Sequence, residues 1–91
     1  IHRMSAGTRV VKAGKTGTSR QIFSNSEINS LLGVTDSSNS NTAVFVSNGD
    51  GAATSVHFEG VTYLNDAWNA VFNANVGSGP IRVNYLIVYW G

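Results

Sequence analysis

The chain has 91 residues, of which 42% are hydrophobic and 12% charged, and its formal net charge at pH 7 is +1. This composition excludes the disordered class, and six scattered Lys and Arg residues exclude a basic stripe that could follow a nucleic-acid backbone. Cysteine is absent, which excludes disulfides and thiolate metal sites. We therefore expect a single domain over residues 1–91, with a surface of neutral polar groups and no nucleic-acid partner.

The chain begins with a predicted pair of strands. Residues 8–12 and 18–23 have strand composition, and the Gly-rich segment 14–17 between them is typical of a turn. These two strands are expected to pair as a hairpin.

A short helix is predicted next. Ser24 and Glu27 have the spacing of a capping box, and Phe23 and Ile28 occupy the positions of a hydrophobic staple. Because Gly33 is suited to a helix C-terminus, the sequence predicts a helix of two turns ending there.

The remainder of the chain is expected to contain strands and turns. Residues 35–41 have no apolar side chain to bury and predict an exposed loop. The Asn-Gly-Asp-Gly turn at 48–51 predicts a hairpin between strands 43–46 and 54–59. A bulge is expected at Gly60.

Two further strands follow a second turn. Residues 61–63 continue the preceding strand to the turn at 64–66, and 68–72 alternate in polarity as a strand does. With the final strand, these elements predict an all-β fold: a small antiparallel β-sandwich, jelly-roll or lectin-like, with one short helix.

The final strand is apolar on nearly both faces. Alternation places two sets of side chains on opposite faces: Ile81, Val83, Tyr85, Ile87 and Tyr89 on one, and Arg82, Asn84, Leu86, Val88 and Trp90 on the other. The first set is expected to fill the core. The apolar part of the second set, Leu86, Val88 and Trp90, then needs a second sheet or a neighbouring subunit to cover it, and these residues are the predicted subunit interface.

Few residues could support catalysis. His57 and Glu59 share one strand face and could bind a metal or transfer protons, but a solvent-facing polar pair is the favoured interpretation. Asp50 and Asp66 could bind calcium, although each lies where a turn favours Asp. The sequence therefore predicts no enzyme, no metal site and no cofactor.

A candidate ligand-binding site surrounds the second turn. Tyr63, Asn65, Asp66 and Trp68 combine aromatic rings with amide and carboxylate oxygens, the groups that recognise the C–H face and the hydroxyls of a sugar. Trp68 also alternates with Ala70, which favours a place in the core over a binding role.

The second half of the chain resembles a known family. The run from Ser55 to Phe72 (Ser-Val-His-Phe-Glu-Gly-Val-Thr-Tyr-Leu-Asn-Asp-Ala-Trp-Asn-Ala-Val-Phe) and the terminal Ile-Arg-Val-Asn-Tyr strand resemble the C-terminal domain of bacteriophage tail-fibre and baseplate proteins. The resemblance covers roughly residues 42–91, and the arrangement is also similar to H-type lectin domains.

The resemblance implies a homotrimer whose terminal strands pack near the three-fold axis and which binds a host-surface polysaccharide. It further implies a place in the virion beside other virion proteins, after assembly in the host cytoplasm. A structural or trimerisation domain without a ligand is the alternative. Because the chain starts with Ile, it is expected to be either a processed product or one domain of a longer protein. In the second case, residues 1–7 could form an extended linker to the rest of a longer fibre protein. No apolar run reaches the ~20 residues that span a bilayer, so no membrane insertion is expected.

Overall fold

Six strands and one helix make up the part of the chain that the structure describes, residues 3–11, 19–49, 58–72 and 81–91. The structure is a computed structural model. Its elements in chain order are β1 (Arg3–Val11), β2 (Ser19–Ser24), α1 (Asn25–Leu32), β3 (Thr42–Asn48), β4 (Phe58–Leu64), β5 (Ala67–Phe72) and β6 (Ile81–Tyr89). The predicted fold class, a small all-β domain with one short helix, is confirmed.

The strands form two antiparallel three-stranded sheets. One has the strand order β1-β6-β3 and the other the order β2-β5-β4, so β6 and β5 are the central strands. Both sheets and the helix contribute to one hydrophobic core, whose buried members are Val11, Ile22, Phe23, Ile28, Leu32, Val44, Trp68, Ala70, Val83, Ile87 and Tyr89. On the face of β6 that was expected to fill the core, Val83, Ile87 and Tyr89 are buried and Tyr85 packs against the core, while the Ile81 side chain lies outside the described part.

One predicted hairpin is not formed, and a second is not tested by the described residues. β1 and β2 lie in different sheets, so the expected pairing of 8–12 with 18–23 is wrong. β3 pairs with β6, and β4 belongs to the other sheet. The strand predicted to pair with 43–46, residues 54–59, lies mostly outside the described residues, so that hairpin stays a prediction. Side-chain alternation identifies a strand and its buried face, but it does not identify the partner strand. The predicted turns at 14–17 and 50–51, and residues 54–57, lie outside the described residues.

The hairpin of β4 and β5 agrees with the sequence in detail. Tyr63 pairs with Trp68 and Leu64 pairs with Ala67, which leaves Asn65 and Asp66 as the turn. The register shifts between Phe58 and Gly60, where a bulge is expected.

The N-terminal segment is a strand rather than a linker over the residues described. Residues 3–7 form the first half of β1 and pair with β6 from Tyr89 to Tyr85. Gly7 lies opposite Tyr85, and a Cβ atom at Gly7 would stand 3.0 Å from the Tyr85 hydroxyl oxygen. Because glycine has no side chain, this position leaves room for Tyr85. The Tyr85 ring packs edge-on against Phe23, with 4.9 Å between the ring centroids.

Helix α1 has the predicted caps at both ends. The Ser24 side chain accepts a hydrogen bond from the Glu27 amide, and the Glu27 carboxylate accepts one from the Ser24 amide. Gly33 ends the helix with φ of +71°, the left-handed conformation that glycine adopts without a Cβ penalty. Two arginines of β1 hold the helix against the sheet: Arg3 donates to the Leu32 carbonyl at the C-terminus, and Arg9 pairs with Glu27.

The negative charge of Glu27 should stabilise the fold at neutral pH, and this contribution should be lost in acid. Burial raises the pKa of the Glu27 carboxyl, but hydrogen bonds from Ser24 and the Arg9 guanidinium outweigh burial and lower the pKa below its ordinary value of 4.5. A carboxyl with a lower pKa in the folded state stabilises folding above its unfolded pKa, and that contribution disappears as the pH falls through the folded value.

Glu27→Gln tests this linkage, because glutamine keeps an oxygen at the capping position and removes the charge. At neutral pH, the free energy of unfolding of the variant is expected to be lower than that of the parent by up to about 1 kcal/mol. The loss is small because the ion pair is partly exposed to solvent. Urea titrations as a function of pH should show the difference shrinking below about pH 4.5. A difference that stays constant through the acid range contradicts the role given to the charge.

The loop that was expected to be exposed is partly buried. Within 35–41, Ser37 and Asn41 are buried, and each is held by hydrogen bonds. The Ser37 amide donates to the Asn29 side chain, and the Asn41 side chain accepts from the Ser38 amide and donates to the Asp36 carbonyl. A polar segment can thus be buried without apolar side chains, because its hydrogen bonds are satisfied internally.

Candidate functional site

The candidate site is built on the tight turn between β4 and β5. Asn65 and Asp66 have φ values of 53° and 58°, so both central residues of the two-residue turn are left-handed. A turn of this handedness matches the twist of the paired strands, and Asn and Asp tolerate its conformation. Both side chains are exposed, and the turn therefore presents one amide and one carboxylate to the solvent.

Tyr63 connects this turn to the start of the helix. Its hydroxyl accepts a hydrogen bond from Asn25 Nδ2 at 2.6 Å and donates one to Asp66 Oδ1 at 3.3 Å. The backbone N–H of Asn25 also donates a hydrogen bond to the backbone carbonyl of Asp66, at 3.0 Å. The structure thus brings Tyr63, Asn65 and Asp66 together as predicted, and it adds Asn25, which lies 38 positions from Tyr63 in the sequence.

Trp68 does not offer a ring face to a ligand. Its side chain is only 8% exposed and belongs to the core, as its alternation with Ala70 predicts. The indole packs edge-on against Tyr63, with 4.9 Å between the ring centroids. A sugar cannot stack on a ring that is covered in this way, so the polar groups of the turn and the half-buried Tyr63 ring are the groups left for contact with a ligand.

Two buried polar atoms beside this cluster have no hydrogen-bond partner. They are the indole nitrogen of Trp68 and the side-chain oxygen of Asn25, one a donor and the other an acceptor. Buried polar groups are usually satisfied, so these two atoms are exceptions in the region between the helix start and the β4–β5 turn.

The predicted interface residues lie on the outer face of the β1-β6-β3 sheet. Leu86 and Val88 point away from the core and are half-buried, while Trp90 follows β6 and is 44% exposed. Met4 pairs with Val88 and is 64% exposed, and Phe45 pairs with Leu86 and is 57% exposed. These five residues are named here the outer apolar face, and no element of the described chain covers it.

The end of β6 is fixed by the polar loop. The Trp90 amide donates to the Asn41 carbonyl at 2.9 Å, and the Tyr89 hydroxyl donates to Asp36 Oδ1 at 2.5 Å. This hydrogen bond to Asp36, together with burial and the negative charge of the carboxylate, raises the pKa of the Tyr89 hydroxyl. The backbone of Trp90, at the end of the outer apolar face, is therefore held in place by a hydrogen bond.

The other candidate residues give little further chemistry. His57 and Asp50 lie outside the described residues, as does the Glu59 side chain, so the alternative metal or proton-transfer pair is not placed. Among the residues that the structure describes, no group of three or more His, Cys, Asp or Glu side chains could hold a metal ion. No helix in the same part of the chain is long and apolar enough to cross a membrane.

Comparison with known proteins gives no relative from which a function could be transferred. No protein-family model, no curated protein and no solved structure matches this chain.

Proposed function

We propose that this chain is a non-enzymatic tip domain of a bacteriophage fibre or baseplate protein. It associates as a homotrimer through the outer apolar face and binds a host-surface glycan through the β4–β5 turn. The single observation that carries this proposal is the outer apolar face, because an exposed surface of this kind on a small domain marks an interaction site.

The outer apolar face is part of a longer sheet surface. Nine residues of β6 at ~3.3 Å each and three strands at ~4.8 Å spacing give the whole outer surface of this sheet about 30 by 14 Å, and the outer apolar face is the half of it towards Trp90. A contact over the whole surface buries about 400 Å² on each subunit, so a subunit contact has to extend beyond the apolar half to approach the ~1,000 Å² total of a biological interface. A strand that faces a three-fold axis meets two other copies, and a closed trimer leaves no open end for further growth.

The turn supports recognition of an uncharged ligand that carries hydroxyl groups. Asn65 and Asp66 are held in fixed backbone positions by the turn, and Asp66 is oriented by the Tyr63 hydroxyl. At a rigid turn, a carboxylate can accept hydrogen bonds from sugar hydroxyls, and an amide can both accept and donate them. Single contacts of this kind are weak, and three copies on one trimer would raise the overall affinity.

The virion context rests on the resemblance of residues 42–91 to tail-fibre and baseplate domains. The neutral surface of Ser, Asn, Thr and Gly and the absence of cysteine are compatible with it. Other virion proteins and the host polysaccharide are the partners that this context supplies.

Asp66→Ala tests glycan binding at the turn. On immobilised bacterial surface polysaccharides, the variant is expected to bind about tenfold more weakly, because a hydrogen bond to a charged group is lost. Ser30→Ala, at an exposed position of α1, is the matched control and should bind like the parent. Light scattering on both variants must give the parent mass. Unchanged binding by Asp66→Ala, with the parent protein bound, contradicts the assignment of the turn.

A structural domain that only joins subunits is the second candidate. It is favoured by the burial of Trp68 and by the two hydrogen bonds that already engage the Tyr63 hydroxyl. This role predicts a stable oligomer that binds none of the polysaccharides, and the same experiment therefore separates the two functions.

A further inference from the structure

The two sheets differ at their edge strands. In the β2-β5-β4 sheet, both edges are irregular: the register shifts between Gln21 and Phe23 in β2 and between Phe58 and Gly60 in β4. Such bulges bend an edge strand and hinder its pairing with another chain. In the other sheet, β1 and β3 pair with β6 along their whole lengths without a shift. The two regular edges therefore belong to the sheet that carries the outer apolar face.

Neither regular edge carries the residues that usually protect an edge strand. β1 and β3 contain no proline and no lysine, and β3 contains no charged residue. The two arginines of β1, Arg3 and Arg9, are bonded to helix α1. No strand of the described chain pairs with the outer side of β1 or of β3. In this part of the protein, both strands therefore present backbone N–H and C=O groups that a further strand could bind.

The subunit contact also needs more area than the sheet surface provides. The whole outer surface of the sheet buries about 400 Å² on each copy, or about 800 Å² for a pair of copies, which is below the ~1,000 Å² of a biological interface. The most exposed apolar side chains of that surface lie at its two sides, since Met4 is on β1 and Phe45 is on β3. A contact that includes the edges would add area at these two sides.

The strand directions allow one edge to pair with the other between copies. β1 and β3 are both antiparallel to β6, so they run parallel to each other. Around a three-fold axis that lies roughly along the strands, the β1 edge of one copy faces the β3 edge of the next, and the two can pair as parallel strands. Three strands from each of three copies then make nine.

We propose that β1 of each copy pairs with β3 of the next, so that the three sheets close into one barrel of nine strands around the three-fold axis. This inference rests on the proposed homotrimer and specifies its contact. A barrel of about eight strands has an interior that side chains just fill, so the outer apolar face can line the interior of this one. Arg82, at the other end of β6, is exposed and lies at a mouth of the barrel, in contact with water.

A second copy fits these edges better than an unrelated extended peptide. A peptide could pair with one edge, but it would leave the other edge and the outer apolar face uncovered. Closure by identical copies covers all three at once. The stagger between β1 and the neighbouring β3 must be an even number of residues, because an odd stagger would turn one set of apolar side chains out of the barrel.

Pairs of introduced cysteines test the edges, because the natural chain contains no cysteine. Thr8 on β1 and Ser47 on β3 are exposed and pair with Asn84 from opposite sides. Within one copy they lie two strand spacings apart, about 9.6 Å, which is beyond the ~7 Å that a disulfide spans. Even staggers of up to about four residues in either direction are covered by combining Thr8→Cys in turn with Ala43→Cys, Phe45→Cys or Ser47→Cys, and Ser47→Cys with Met4→Cys or Ala6→Cys.

Mild oxidation of the assembled protein is expected to crosslink at least one of these pairs. On a non-reducing gel, the products should form a ladder that ends at three chains. The variants with a single cysteine should remain uncrosslinked. The matched control combines Gln21→Cys with Thr62→Cys, two exposed positions that pair with Asn69 from opposite sides in the sheet with irregular edges. This control should also remain uncrosslinked.

Hydrogen exchange measured by NMR shows whether the backbones pair. Along β1, amides that bond to β6 alternate with amides that face the open edge. In the assembled parent, both sets are expected to exchange slowly. In the monomeric variant Val88→Lys, the edge-facing set should exchange at least about tenfold faster than in the parent, because its partner strand is lost.

The outcomes distinguish edge pairing from the proposed function. If the parent has the mass of three chains but no cysteine pair crosslinks, edge pairing is overturned and a trimer through the outer apolar face stands. Fast exchange of the edge-facing amides in the assembled parent also overturns edge pairing, even where a crosslink forms. Crosslinking of the single variant Thr8→Cys overturns it too, because two β1 strands are then neighbours. A monomeric parent overturns both edge pairing and the trimer, while glycan binding at the turn is decided by Asp66→Ala.

Discussion

Val88→Lys is expected to convert the assembled protein into monomers without unfolding it. Val88 lies on the central strand of the outer apolar face, between Met4 on β1 and Ala43 on β3. Three ammonium groups brought towards one axis would repel one another and lose their hydration. In the monomer the lysine stem can lie along the sheet while its charge reaches water, so the fold should tolerate the change.

Light scattering at micromolar concentration measures the effect. The parent is expected at three times the 9.6 kDa chain mass and the variant at a single chain mass. Leu64→Lys is the matched control, because Leu64 is 63% exposed but lies in the β2-β5-β4 sheet, and it should keep the parent mass. A monomeric parent refutes the proposed assembly, and a parent of two chain masses replaces the three-fold axis by a two-fold axis.

Trp68→Ala is expected to cause the largest loss of stability. The side chain is almost fully buried in the core and packs edge-on against Tyr63. Truncating a buried tryptophan costs about 3–5 kcal/mol, which is a large part of the ~5–15 kcal/mol that stabilises a domain. Much of the variant population should therefore be unfolded or close to unfolding at room temperature.

Trp68→Phe separates packing from recognition. Phenylalanine keeps a ring against Tyr63 and removes the indole N–H that has no partner, so the variant should lose much less stability than Trp68→Ala. Urea unfolding followed by far-ultraviolet circular dichroism gives both free energies. If Trp68→Ala keeps the parent stability and loses only polysaccharide binding, Trp68 is a ligand-contacting residue and its place in the core carries no structural weight.

The sequence predicted the residues of the turn more completely than those of the outer apolar face. Tyr63, Asn65 and Asp66 are close in the chain, so a short turn was enough to bring them together. Alternation along the last strand identified Leu86 and Val88 as outward-facing. It did not reveal Met4 and Phe45 as their neighbours, because these come from strands that are distant in the sequence.

The features that residue type and spacing predict correctly are local. The capping box of Ser24 and Glu27, the end of the helix at Gly33 and the bulge near Gly60 all depend on backbone conformations and on hydrogen bonds between residues a few positions apart. For this reason, they could be read from residue type and spacing alone.

The identity of neighbouring strands follows only from the tertiary structure. It placed β1 beside β6 and β2 beside β5, and it joined Asn25 to Tyr63 and Asp36 to Tyr89. Strand pairing depends on burying one face of each sheet in a shared core, which is a property of the whole chain that alternation within one segment does not contain. The same cause explains why the polar loop at 35–41 is partly buried: its hydrogen-bond partners come from the helix and from the end of β6.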